Sequence, residues 1–206
     1  MQAFTDRWTE NFAPLYERDD VADMSWVTTS VSPELQRLVI DGIIAPGSSV
    51  VDLACGPGVQ AIFLARHGMR VTGVDRSAAA LDRARALAGL YRSEVTFLEG
   101  DILDVPLPDG CADVVHDSFV YHNVRPEART AYAAEAARLA VPGGLFIMVG
   151  FSDRMSPGTG PIRLSSDDVV KPLLPFFEIE ELRRFRNLPT LKRPDQWHWL
   201  GVFRRR

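Results

Sequence analysis

Two aspartates and two glycines in the first half of the chain have the types and spacing to hold a nucleoside. The run Val50-Val51-Asp52-Leu53-Ala54-Cys55-Gly56-Pro57-Gly58 reads as a buried strand that breaks into a glycine turn, with a helix starting near Val59. Gly56 and Gly58 let the backbone turn where side chains would block it, and let a ligand lie against the main chain. The turn feeds a helix N-terminus, where unpaired N–H groups and the helix dipole favour acceptor atoms. Asp52 lies four residues before Gly56, and Asp75 lies seventeen residues after Gly58, closing the apolar run 69–74. An acid in that place takes both hydroxyls of a ribose. Further along, Asp117, Tyr121 and His122 fall where another apolar run ends. Histidine titrates near neutrality and can take a proton from an incoming nucleophile.

The stretch Gly56-Pro57-Gly58-Val59-Gln60-Ala61 also fits the G-x-G-x-x-A dinucleotide fingerprint. Two features argue against NAD or FAD. A carboxylate at Asp52 would face a pyrophosphate with like charge, but suits the ammonium of an amino-acid-bearing nucleoside. The chain has 206 residues, too few for a nucleotide domain plus a usual catalytic domain.

The elements that must position these residues alternate along the chain. Ser32-Pro33-Glu34 starts a helix running to about Gly42, with serine as N-cap and proline at the first position. The spacing then predicts a helix over 59–67, a strand over 69–75 and a helix over 78–88 capped by Ser77. A strand over 94–99, a loop over 103–110, a strand over 112–117, a helix over 126–140 and a strand over 145–151 follow. Ser165-Ser166-Asp167-Asp168 caps a short helix, and strands near 176–185 and 196–204 finish the chain. Alternating β and α at this spacing implies a parallel sheet with helices on both faces. Upstream, Phe4, Trp8, Phe12 and Leu15 or Tyr16 recur at helical period, either as a helix packed on the domain or as a lid over the site.

Four blocks in order carry a resemblance: 50–58, Val-Thr-Gly-Val-Asp ending at Asp75, Phe97-Leu98-Glu99-Gly100-Asp101-Ile102, and Pro142-Gly143-Gly144-Leu145-Phe146. Together they resemble the class I S-adenosylmethionine-dependent methyltransferases over roughly residues 33–151. The resemblance implies a three-layer α/β sandwich with a Rossmann-like, seven-stranded, mostly parallel sheet. Its last strand is antiparallel, inserted between strands five and six. Residues 1–32 would form an N-terminal helix and lid-like segment, and 33–206 the methyltransferase domain. S-adenosyl-L-methionine would be the cofactor and S-adenosyl-L-homocysteine the product. Asp52 and the backbone of Ala54 and Gly56, with Gly58, would hold the methionine end. Asp75 would take the ribose, Arg76 would pack on or near the adenine, Asp101 would reach the adenine amino group, and Ile102 would supply a backbone donor and an apolar wall. Asp117 would face the methionine or the methyl group. Each has a plainer reading: Asp75 as a capping neighbour, Asp101 as a turn acid, Arg76 as a solvated side chain.

The segment after Asp117 resembles the thiol, thiopurine and tellurite-resistance branch of that family. It keeps the acid and one histidine, His122, but has Ser118-Phe119-Val120 where the branch has Arg-Gly-Cys, and Asn123 where it has a second histidine. A small-molecule acceptor follows, with a thiol or other soft nucleophile first. An oxygen or nitrogen of bacterial secondary metabolism, or a non-methylating S-adenosylmethionine-binding enzyme such as a cyclase, stands beside it. Asp117, Tyr121 and His122 are the catalytic candidates, and Trp8, Trp26, Tyr121, His122 and Arg163 the substrate contacts. His122 has the alternative of bonding a backbone carbonyl and shaping its loop. His116 reads as buried structure, and His67 and His198 carry no motif. The Gly/Pro/Ser loop over 152–164 is long for a link and would lie over the substrate mouth.

Composition bounds the rest. With 46% hydrophobic residues and a formal charge of −4, the chain can bury one α/β core, and no basic stripe suggests a nucleic-acid track. Arg204-Arg205-Arg206 reads as a solvated tail. No window reaches the roughly 18 apolar residues of a membrane span, and Asp6, Arg7 and Glu10 stand where a signal peptide needs an apolar run. Cys55 and Cys111, each in an apolar strand context, make no disulfide framework or metal centre. A cytoplasmic monomer or homodimer without a metal, membrane or nucleic-acid partner is the expectation.

Overall fold

The computed structural model describes residues 16–17, 30–155, 162–187 and 196–206. The helical stripe at Phe4, Trp8 and Phe12, the Trp26 substrate contact and the middle of the expected substrate-mouth loop (156–161) lie outside the described residues.

Seven strands form one sheet: β1 (Ser49–Leu53), β2 (Arg70–Asp75), β3 (Val95–Glu99), β4 (Ala112–Ser118), β5 (Ala140–Phe151), β6 (Phe177–Arg186) and β7 (Trp197–Arg205). Their spatial order is β3-β2-β1-β4-β5-β7-β6. Neighbours from β3 to β5 are parallel, and β7 runs antiparallel to both β5 and β6. Five helices are described, α1 (Pro33–Ile40), α2 (Val59–Arg66), α3 (Ala78–Tyr91), α4 (Arg129–Leu139) and α5 (Ser166–Leu173). The expected mostly parallel, seven-stranded α/β architecture, with its antiparallel last strand between the fifth and sixth, is the one observed.

Two apolar clusters sandwich the sheet. One face of β1 and β4 sends Val50 and Val114 toward Leu35 and Leu38 of α1 and Ala61 and Leu64 of α2. The other sends Val51, Leu53 and Val115 toward Ala133, Ala136 and Ala137 of α4. A strand covered on both faces carries apolar residues on both, which is why these runs read as largely hydrophobic segments. The alanines of α4 let that helix approach the sheet closely.

The sheet order reverses at β1, which lies between β2 and β4. Such a switch point opens a crevice beyond the carboxyl ends of the strands, where open α/β sheets take their ligands. Asp52, Asp75 and Asp117 all stand at or near those ends.

The structure departs from the sequence reading at several ends. The helix expected over 126–140 begins as a 3₁₀ turn, Pro126–Ala128, before α4. β5 starts at Ala140, ahead of the expected 145. The pairs Ala112↔Ala140 and Val114↔Leu145 bracket an irregularity in which Gly143 has φ +75°. Ser32 occupies the N-cap of α1 but its side chain makes no capping bond, whereas Ser77 and Ser165 do cap α3 and α5. Cys55 and Cys111 sit just outside strands, both half-buried and free. Among the described residues, no helix is long and apolar enough to cross a membrane, and no group of three or more acidic, histidine or cysteine side chains is placed to hold a metal.

Candidate functional site

The glycine turn after β1 alternates left-handed residues. Ala54, Gly56 and Gly58 have φ of +47°, +53° and +79°. Turns of this kind gather main-chain N–H groups into a concavity for acceptor atoms. Gly58 has a second constraint, because a Cβ there would lie 3.0 Å from Ala84 Cβ and from the Phe97 ring. A Cβ on Gly56 would meet the Tyr16 hydroxyl at 3.1 Å. Tyr16 is held over the turn by Arg83 of α3, whose Nε and Nη2 donate to the Tyr16 carbonyl at 3.0 and 2.7 Å.

Asp75 ends β2 beside this turn. Its Oδ2 accepts the Gly56 N–H at 2.8 Å and its Oδ1 the Ser77 N–H at 2.9 Å. A carboxylate offers about four acceptor positions, so these two bonds orient it and leave capacity for a diol. Burial pushes its carboxyl up, against the pull of the two N–H donors. The Gly56 N–H, expected to face the methionine end, is thus given to Asp75. Arg76 is exposed.

Asp52 is buried on the face shared with His116, its neighbour in register on β4. His116 Nδ1 and Asp52 Oδ1 are 2.7 Å apart. Asp52 Oδ2 is buried with no hydrogen-bond partner among the described residues. Burying a carboxylate oxygen unpaired is costly, and the strand end that carries it faces the crevice. An ammonium group is the ligand chemistry that relieves it. His116 fixes the orientation of this acid, a link the sequence reading missed because the two residues are 64 apart and only the strand register joins them.

The three catalytic candidates, Asp117, Tyr121 and His122, each make hydrogen bonds within the fold. Asp117 is fully buried. Its Oδ1 accepts the Val120 N–H at 2.8 Å, and its Oδ2 accepts the Tyr121 N–H at 3.0 Å and the Tyr132 hydroxyl at 2.7 Å. Burial raises its pKa to about 6 despite these donors. It ties the loop after β4 to α4, facing the cluster that contains Tyr132 and Phe146 rather than Asp52. Tyr121 is buried, donates its hydroxyl to the Asp168 carbonyl at 2.9 Å, and has its phenol pushed above its ordinary range by burial. His122 Nδ1 accepts the Phe151 N–H at 3.2 Å, and burial lowers its pKa to about 3. The Nδ1 lone pair of His122 is taken up by this bond. The alternative reading needs amendment, since His122 accepts from a backbone N–H and does not donate to a carbonyl there.

Phe119, the first residue beyond β4, has φ +66°. For a bulky residue this conformation costs about 1–3 kcal/mol. Arg163 is half-buried between Ile162 and Leu164, whose N–H groups donate to the carbonyls of His122 and Phe151; the segment therefore lies beside the β4 loop. Asp101 is exposed, and its Oδ1 accepts the Leu103 N–H at 2.9 Å within a tight turn. Ile102 packs into the core with Leu53 and Val74. Burial pushes the Cys55 thiol well up.

A two-sided sheet with a switch-point crevice, a glycine turn and paired strand-end acids defines a nucleoside-binding α/β domain. Comparison with known proteins narrows the class. The methyltransferase-domain family model matches residues 50–144. The chain is 30% identical over 180 residues to a demethylmenaquinone methyltransferase of Renibacterium salmoninarum, covering 84% of this chain and 71% of that one. It is 35% identical over 106 residues to an uncharacterized methyltransferase of Synechocystis, covering 52% of this chain. The chain spans about half of that relative's length, 48%. A solved structure described as the conversion of a disulfide bond into a thioacetal group during echinomycin biosynthesis superposes with a TM-score of 0.83. It shares 26% identity over 96% of this chain and 91% of its own. The chain belongs to the class I S-adenosylmethionine-dependent methyltransferases.

The residues present fit that family's cofactor. The unpartnered Asp52 Oδ2 suits its ammonium, the remaining acceptor capacity of Asp75 suits its ribose, and the left-handed turn between them leaves no Cβ at Gly56 or Gly58.

Proposed function

We propose that this chain transfers a methyl group to a sulfur, or a similarly soft atom, of a small molecule. When bound, S-adenosylmethionine supplies an electrophilic methyl on a sulfonium. Asp52 and Asp75 would orient the two ends of that molecule, Asp52 through its charge and Asp75 through hydrogen bonds. Orientation of this kind contributes much of the rate of a displacement, on the order of 7–11 kcal/mol at best.

One observation carries the choice of acceptor. Among the described residues, the three titratable side chains of the β4 end are all occupied: Asp117 by three donors, Tyr121 by a carbonyl, His122 by a backbone N–H. An acceptor that needs its proton removed by the protein, such as a phenol with pKa near 10, is poorly served by such a site. A thiol, with pKa near 8.5, ionises to a useful extent in water and releases its proton to solvent. The sulfur chemistry named for the solved structure at 26% identity supports the same reading.

The test is product formation with a panel of a thiol, a disulfide, a phenol and an aromatic amine. Release of S-adenosylhomocysteine with a sulfur acceptor is the expected result. Release with the phenol or amine alone would replace sulfur by oxygen or nitrogen. Conversion of an added substrate without S-adenosylhomocysteine would make the chain a non-methylating member of the fold.

A further inference from the structure

We infer that the Phe119 ring, backed by Phe151, is the wall on which the acceptor lies, and that it selects an acceptor whose reactive atom adjoins an apolar, ring-like group and which bears no charge beyond that atom. The inference rests on the methyl-transfer reading above and names the substrate class of that site.

Phe119 stands where β4 leaves the sheet, one strand from the glycine turn. The register Leu53↔Asp117 brings the ends of β1 and β4 together. Its backbone is in the left-handed region, at φ +66°, and its N–H is locked onto the Val149 carbonyl at 2.8 Å. Glycine or asparagine would make the same turn at less cost. Such outliers persist where the surroundings over-determine them, and they gather at ligand clamps. The ring packs against the apolar cluster on the α1 and α2 side of the sheet but is only half-buried, so part of it stays accessible.

What stands behind the ring makes it a platform. Phe119 meets His198 edge-on, with centroids 4.9 Å apart and planes at 80°, and lies 5.8 Å from both Phe151 and His122. Phe151, also half-buried, stacks on His122 at 4.4 Å and on His198 at 5.4 Å. His122 and His198 are buried beneath the two phenylalanines. His122 stays neutral, as its burial and its bond from Phe151 N–H require. The nearby guanidinium groups of Arg154 and Arg184 lie over Trp197 and Trp199, and Arg184 is also paired with Asp153. The exposed edges of the platform are therefore aromatic, backed by a neutral imidazole. Rings favour offset or edge-on partners on such a surface, while a charged group beside the reactive atom would lose hydration against it.

The test uses Phe119→Gly and Phe119→Leu beside the full chain. Four quantities are measured: melting temperature, affinity for S-adenosylhomocysteine, binding of thioanisole to the S-adenosylhomocysteine complex, and the ratio of kcat/KM for benzenethiol over cysteine. Phe119→Gly removes the ring and the backbone cost together. The proposal expects an unchanged or higher melting temperature and an S-adenosylhomocysteine affinity within about twofold of the parent. Thioanisole binding and the selectivity ratio should each fall about tenfold, the worth of one aromatic contact. Phe119→Leu, which keeps an apolar surface, should fall between. A glycine variant that melts lower and loses S-adenosylhomocysteine in step would make the ring ordinary core and overturn the proposal. So would failure of thioanisole to bind the parent, or an unchanged selectivity ratio. If the parent binds thioanisole through Phe119 but methylates no sulfur compound, the wall stands and the methyl-transfer reading falls.

Discussion

His116 and Asp52 make the sharpest residue-scale claim. His116→Phe keeps a ring in the strand but releases Asp52 from its 2.7 Å partner. If the pair orients the acid toward an ammonium group, S-adenosylhomocysteine affinity should drop about tenfold, since hydrogen bonds to charged groups contribute about 1.5–3 kcal/mol. Binding of 5′-methylthioadenosine, which lacks the amino-acid end, should hold, and calorimetry of the two ligands separates the cases. Equal losses would mean that His116 only supports the strand. At this scale the local chemistry was legible in the sequence. A glycine turn with an acid on either side carries its meaning in adjacent residues. Long-range partners hid the rest. Nothing near His122 announces the Phe151 N–H, nothing near Asp117 announces Tyr132, and phenylalanine at 119 gives no hint of a left-handed backbone.

At the scale of elements, the β4 end is fastened to two helices through one buried acid. Asp117 holds the loop's N–H groups and the Tyr132 hydroxyl of α4, while Tyr121 reaches the Asp168 carbonyl of α5 and Arg129 pairs with the Asp168 carboxylate. Asp117 has a folded pKa raised to about 6 from 3.8. For a raised pKa, the stabilising contribution is fully present below about pH 4 and is lost as pH rises toward about 6. A shift of roughly two units corresponds to about 3 kcal/mol. The unfolding free energy of the parent minus that of Asp117→Asn, from urea titrations between pH 4 and 7, should therefore fall as pH rises, on that order. A flat difference would show that Asp117 titrates as an ordinary acid. The strands were legible because both faces of β1 and β4 need apolar residues. The start of β5 and the 3₁₀ turn at Pro126 were not, because proline and glycine mark a change of direction without saying which irregular form it takes.

Over the whole molecule, the cofactor crevice is joined to the N-terminal part of the chain at one described point. Tyr16 covers the glycine turn, packs on Ala80, and is anchored by Arg83. Arg83→Gln should loosen that cover, weakening S-adenosylhomocysteine by a few-fold and speeding its release while the melting temperature moves little. An unchanged release rate in stopped-flow measurements would confine Tyr16 to packing. The domain-scale arrangement followed from β/α alternation and from the order of four motifs, while the division at residue 32 remains a proposal.

Methyl transfer to a self-ionising acceptor needs no protein base. This is tested most directly by the pH dependence of kcat/KM for two thiols of different acidity. A single rise is expected for each, with a midpoint that follows the acceptor's own pKa. A common midpoint for both thiols, belonging to a group on the protein, would contradict it.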